Sequence, residues 1–331
     1  MRGRTIELFV RALQGCRARG TPSSEGDSSR VSVGAVIQSK IPMAKLRVGV
    51  SGWRYPPWRG RFYPKDLPQR LELHYASRQL ETIEINGSFY SLQRPDSWRR
   101  WYHDTPRGFV FAVKAPRFIT HIRRLREVEK PLANFFASGV LELREKLGPM
   151  LWQFPPSLKY DYDLFDTFLA SLPRNTKSAL ALARHHDSHI KQVGDLSSAK
   201  NRRLRHAIEI RHESFEDPAF ITLLRKHRVA LVVSDAASKW PSLQDVTAGF
   251  VYMRLHGDKV LYASGYMDSA LSGWARRIRA WMKGSQPRDA SNRVSRQPPS
   301  LRKTRDVYCY FDNDSKVKAP GDAIKLRNML R

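Results

Sequence analysis

Cysteine is nearly absent. Cys16 and Cys309 are the only two in 331 residues, and they stand far apart. With no CxxC and no Cys/His finger spacing, neither a disulfide framework nor a structural zinc site is indicated. A reducing, cytoplasmic setting is the expectation. No apolar run reaches the roughly 18 residues of a membrane span. The GxGxxG of a dinucleotide fold is missing, since Gly49 and Gly52 in VGVSGW do not match it. No internal repeat is evident. Negative charge is scarce as well: 31 Asp and Glu against 58 Lys and Arg leave a formal charge of +27. That excess favours partners such as nucleic acid, phosphorylated small molecules or anionic lipid.

Residues 1–42 lack sustained periodicity, carry SSEGDSS in their middle and have no long apolar signal core. They are expected to form a poorly ordered N-terminal extension, with Met43 as the natural start; a basic targeting peptide is the alternative. From Met43 onward eight strand-like runs recur, at 46–51, 82–86, 109–114, 149–154, 206–211, 229–235, 250–256 and 306–311. Helical patterns fall between most of them, including PLANFFASGVLELREKLG, where Gly148 is the expected C-cap. Strands alternating with helices imply right-handed βαβ units and a parallel sheet. Eight of them in one domain over 43–331 suit a closed (β/α)8 TIM-type barrel of the α/β class; an open doubly wound sheet is the runner-up. Two basic stretches interrupt the rhythm, at about 174–205 and 284–305, and the second is expected to be a disordered loop.

Strand side chains alternate. If Val48, Val50, Ile83, Ile85, Val113, Ile208, Ile210, Val251, Met253 and Leu255 face the helices, the barrel interior receives Gly49, Ser51, Thr82, Glu84, Asn86, Ala112, Lys114, Glu209, Arg211, Tyr252, Arg254 and His256. Gln153 points inward from the fourth run, and Tyr308, Tyr310 and Asp312 share a face of the eighth. In the sixth run, periodicity does not choose between Ser234 and Asp235. Barrel interiors are ordinarily filled with branched apolar side chains, and active sites lie at the C-terminal strand ends. Polar groups there must pair with one another or meet a ligand. Glu84 and Glu209 are the candidates for general acid and base. Lys114, Arg211 and Arg254 outnumber them by one positive charge, which favours an anionic ligand. His121 and His256 are the expected proton shuttles. Asn86, Tyr90, Gln153, Trp53, Asp235, Trp240, Tyr266 and Asn313 complete the expected substrate contacts. A Schiff base at Lys114 would require a depressed pKa, which the neighbouring carboxylates oppose, so an anion-binding lysine is expected. The cations on the same rim disfavour a metal, and no cofactor is expected.

The stretches VGVSGWRYPPWRGRFYP, IEINGSFYSL, FVFAVKAPRFITH, LWQFPPS, IEIRHESF, SDAASKWP, FVYMRLHG with YASGY, and YCYFDND resemble, in order, the YecE-like proteins, domain of unknown function seventy-two. The match runs from about Lys45 to the C-terminus. The resemblance implies a TIM-type barrel and supplies no activity. Gly87 stands where that family usually has Ser or Thr, and Asp312 where Asn is common. The reading that follows is an enzyme acting by acid/base chemistry on a small anionic substrate, a phosphorylated sugar or nucleotide. Hydrolase, lyase or isomerase chemistry would each suit. The alternatives are a nucleic-acid-binding protein using its basic segments, or a barrel serving as a non-catalytic scaffold.

Overall fold

All eight runs are strands of one sheet in the computed structural model, which describes residues 43–197, 200–287 and 292–331; the 1–42 extension lies outside the described residues. They are β1 (Leu46–Ser51), β2 (Thr82–Ile85), β3 (Val110–Lys114), β4 (Leu147–Gln153), β5 (His206–Glu209), β6 (Ala230–Asp235), β7 (Phe250–Leu255) and β8 (Asp306–Phe311). Every neighbouring pair is parallel. β8 returns to β1 with Leu46 opposite Val307 and Val50 opposite Phe311. That closing pair makes a barrel in sequence order and excludes the open sheet.

The period-two reading of the faces holds. Val48, Val50, Ile83, Ile85, Val113, Ile208, Val251, Met253 and Cys309 lie in the apolar layer between sheet and helices. Ala112, Leu151, Ala207, Val232, Tyr252, Tyr308 and Tyr310 form a second, separate cluster inside the barrel. Its aromatic members are braced by hydroxyl contacts: Tyr310 Oη lies 2.9 Å from Thr82 Oγ1, which itself donates to Val110 O at 2.7 Å. In β6 the alternation Ala230, Val232, Ser234 points inward, so Asp235 belongs to the helix side. The run ALVVSD is apolar on both faces, and for that reason periodicity could not choose between them.

Gly148 is not a C-cap. The helix Glu129–Ala137 stops at Gly139, whose φ of +101° only glycine adopts without strain. Gly148 lies inside β4, where an added Cβ would meet Phe111 O at 2.7 Å. A tertiary close approach, invisible in local sequence, decides the boundary.

The described parts of both basic insertions run from a helix to the start of a strand, so they lie at the N-terminal end of the barrel, opposite the end where active sites form. There Arg205 pairs with Asp306 at 2.7 Å. The described part of 284–305 is not loose: Gln244 N donates to Asn292 O, and the buried Asp245 carboxylate accepts from Val294 N and Ser295 N.

Candidate active site

The C-terminal strand ends carry a buried polar network centred on one guanidinium. Arg254, 1% exposed, donates to Glu84 (Nη2 to Oε1, 2.9 Å), to Glu209 (Nη1 to Oε2, 2.7 Å) and to Asp312 (Nη2 to Oδ2, 2.8 Å). Glu84 also accepts from Ser51 Oγ at 2.8 Å and Tyr252 Oη at 2.6 Å. Glu209 accepts from Arg211 through Nε and Nη2, at 3.1 and 3.0 Å. Burial by itself would raise the Glu209 carboxyl; Arg254 and Arg211 outweigh it and hold the group below the ordinary carboxylate range. Asp312 is held below its usual value in the same way, its burial offset by Arg254 and His256. Asp314 lies just beyond this network. Burial and the nearby Asp312 charge push its carboxyl well above the usual range.

Above this floor opens a cavity of about 930 Å³. Lys114, Arg211, Arg254, Gln153 and Asp312 form its base. Its walls come from the loops after β1, β2 and β3: Arg54, Arg70, Arg100 and Arg117, with Trp53, Tyr55, Phe89, Tyr90 and Trp101. Asp104 and Asp312 are the lining acids. The floor is close to electrically balanced, because Asp312 joins Glu84 and Glu209 against Lys114, Arg211 and Arg254. The surplus positive charge therefore resides in the walls, a different place from the strand-end surplus expected from sequence.

The sequence-predicted residues divide into three sets. Lys114, Arg211, Arg254, Asn86, Tyr90, Gln153, Trp53 and His121 all line the cavity. Glu84, Glu209 and His256 lie beneath it, fully buried. The two glutamates do not face each other across an open mouth; Arg254 bridges them. His256 Nδ1 is 3.1 Å from Asp312 Oδ2, and its ring is walled by Trp240 and Tyr262. Trp240 donates to Ser234 Oγ at 3.1 Å and presents its ring face to Arg211 at 4.1 Å, so it holds that guanidinium in place. The third set is not brought to the cavity. Asp235 faces Tyr266 and Trp274 on the helix side. Tyr266 packs edge-on against Phe311 of the outer core. Asn313 is wholly buried and braces two loops by donating to Ser264 O and Asp322 Oδ2, both at 2.9 Å.

Two cavity groups behave unlike ordinary surface residues. Burial and Arg254 lower the Lys114 ammonium to about 8, although Glu84, Glu209 and Asp312 pull the other way. Burial, with Arg254 beside it, thus outweighs the pull of the carboxylates at this position. His121 is lowered to about 4 by burial and by Lys114, Arg117 and Arg211, so its ring is neutral near pH 7. It sits on one wide turn, Phe118–Ile122, with Nδ1 2.9 Å from Thr120 Oγ1. Sequence reasoning missed Arg54, Arg70, Arg100 and Arg117. Their one legible signal is position, since Arg54 and Arg117 stand within three residues of a strand end.

A model of the family described as "Protein of unknown function DUF72" matches residues 47–331. The chain belongs to this family. Its DUF72 relatives include UPF0759 protein YunF of Bacillus subtilis, 29% identical over 116 residues, which cover 34% of this chain and 40% of the relative. Another is UPF0759 protein YecE of Escherichia coli K12, 27% identical over 135 residues, 36% of this chain and 46% of the relative. The matched stretches thus span less than half of either relative. A solved DUF72 family protein from Thermotoga maritima superposes with a TM-score of 0.63 at 21% identity, covering 86% of this chain and 99% of that one. One from Enterococcus faecalis gives 0.61 at 16%, covering 86% and 95%. These two likenesses bear on the DUF72 fold. Among the described residues no helix is long and apolar enough to cross a membrane.

Proposed function

We propose that this chain is an enzyme that binds a small anionic substrate, a phosphorylated sugar or nucleotide, in the cavity at the C-terminal barrel end and transforms it by acid/base chemistry. The observation that carries this reading is the wall charge: Arg54, Arg70, Arg100 and Arg117 surround a cavity whose floor is already balanced. Guanidinium groups suit phosphate because they present paired donors in a fixed plane. The aromatic rings beside them offer faces for a sugar or base. The Gln153 and Asn86 side chains line the cavity, and their buried Oε1 and Oδ1 atoms have no hydrogen-bond partner among the described residues. Glu84 and Glu209, with their oxygens occupied, hold Arg254 and Arg211 in position. His121, neutral and open to the cavity, is better placed than either for proton transfer.

The test is a thermal-shift screen against phosphorylated sugars and nucleotides. At least one should raise the unfolding midpoint by several degrees, less so in high salt. Arg117→Glu should abolish the rise and leave the unliganded midpoint within about a degree, since exposed substitutions ordinarily cost little. No stabilising compound, or undiminished stabilisation of the Arg117→Glu protein, counts against the reading.

A second reading, nucleic-acid binding, is favoured by one observation at the other end of the barrel. Burial lowers the proton affinity of Arg174 and Arg203, and the nearby charges add to it: Arg203 and Arg228 on Arg174, Arg205, Arg302 and Arg228 on Arg203. Such a cluster attracts a polyanion.

A further inference from the structure

Lys114 ends β3 beneath the cavity, and its Nζ makes no hydrogen bond or ion pair with any described residue. It lies 4.2 Å over the Phe89 ring. The His121 ring packs edge-on against that same Phe89 at 5.1 Å. An amine and an imidazole thus share one aromatic wall, with Arg117 and Arg211 close enough to His121 to affect its charge. An anion-binding lysine would be expected to stay fully charged, whereas a nucleophilic one must be poorly solvated and partly deprotonated. Lys114 meets the second description: with its pKa at about 8, roughly one molecule in ten carries the free amine at pH 7.

We propose that Lys114 is a catalytic nucleophile that forms a Schiff base with a small aldehyde or ketone bearing an anionic group. This deepens the function proposed above and rests on it. The amine lone pair forms the C–N bond as the carbonyl π pair moves to oxygen. A proton is relayed from nitrogen to that oxygen through His121 Nε2, giving the carbinolamine. A solvent proton passed through the same ring turns the hydroxyl into departing water, which takes the C–O bonding pair. The nitrogen lone pair then closes the C=N bond, leaving a protonated iminium. That cation withdraws electrons from the adjacent carbon, the service an aldol cleavage or an isomerisation requires. Thr120 Oγ1 holds the imidazole by its other nitrogen, Nδ1. Arg117 and Arg211 take the anionic group, so the carbonyl and the charge lie on the same small molecule.

The experiment is borohydride trapping with peptide mapping. The full chain is incubated with dihydroxyacetone phosphate, pyruvate or uncharged dihydroxyacetone, and its thermal midpoint is read in parallel. Hydride from borohydride reduces the iminium to a stable secondary amine. The expected result is a label at Lys114 from a charged ketone, at least tenfold above that from dihydroxyacetone, suppressed by inorganic phosphate. Lys114→Met and Lys114→Arg should both lose it, the arginine variant retaining the wild-type midpoint within about two degrees. A charged ketone that raises the midpoint without labelling Lys114 overturns the Schiff base and leaves the anion site standing. Neither shift nor label with any of the three overturns both. A label spread over surface lysines and unchanged in the variants also overturns the Schiff base.

Discussion

Arg254→Met should destabilise the folded barrel by about 3–5 kcal/mol or more, the usual cost of removing one partner from a buried ion pair. Arg254 serves three carboxylates at once, those of Glu84, Glu209 and Asp312, and no other described cation reaches all three. Arg254→Lys should rescue little, because an ammonium lacks the flat fork that spans them. The pH dependence has a definite sign. In the wild type, Glu209 and Asp312 titrate below their unfolded values. Their contribution to stability is therefore present above about pH 4 and lost as pH falls toward the folded pKa values. In Arg254→Met the burial cost remains without its counter-charge, so those groups titrate above their unfolded values and stability falls as pH rises through 4. The gap between the two proteins should be narrow at pH 3 and wide at pH 7, as read from urea midpoints at each pH. A gap that stays constant across that range would show that Arg254 does not act through the charges of Glu209 and Asp312.

The second large effect lies one layer below. Gly49→Ala should cost about 3 kcal/mol or more, at or beyond the usual range for overpacking. An ideal Cβ at Gly49 would stand 1.8 Å from Thr82 O, and a backbone oxygen cannot rotate away. Relief requires β1 to move from β2. The same register sets Ser51 opposite Glu84, so the shift also pulls the serine hydroxyl off the carboxylate. The expected signature is a lowered denaturation midpoint together with weaker binding of whichever anion the wild type takes. An unperturbed midpoint would mean that the two strands are less tightly joined than their register indicates.

Much of the barrel was legible because strand periodicity is a short-range signal. Alternating Val48/Val50, Ile83/Ile85 and Val251/Met253/Leu255 fixed which neighbours face inward, and with them Glu84, Lys114, Glu209 and Arg254. The signal failed where both faces are apolar, as in β6, and where a contact distant in sequence sets a boundary, as at Gly139 and Gly148. The balance of charge was harder to see. Asp312 closes the network from a position just past β8, and the oxygens of Glu84 and Glu209 are taken by Arg254 together with Ser51, Tyr252 and Arg211. The wall arginines come from loops whose paths no local pattern encodes. His121 was named from sequence, but the wide turn that aims it was not. Tyr266 and Asn313 share motifs with the cavity residues Tyr262 and Asp312, and Asp235 adjoins the inward Ser234, yet one step of alternation or one loop brace turns each of them away.

The anion site itself is tested most directly by a crystal soaked in sodium tungstate, a tetrahedral dianion with a strong anomalous signal. The predicted result is a peak inside the cavity, within hydrogen-bond reach of Arg117 or Arg211 and above Lys114. The contradicting result is an empty cavity with tungstate only on the arginine cluster around Arg203 and Arg302 at the opposite end of the barrel, which would make the polyanion surface the functional one.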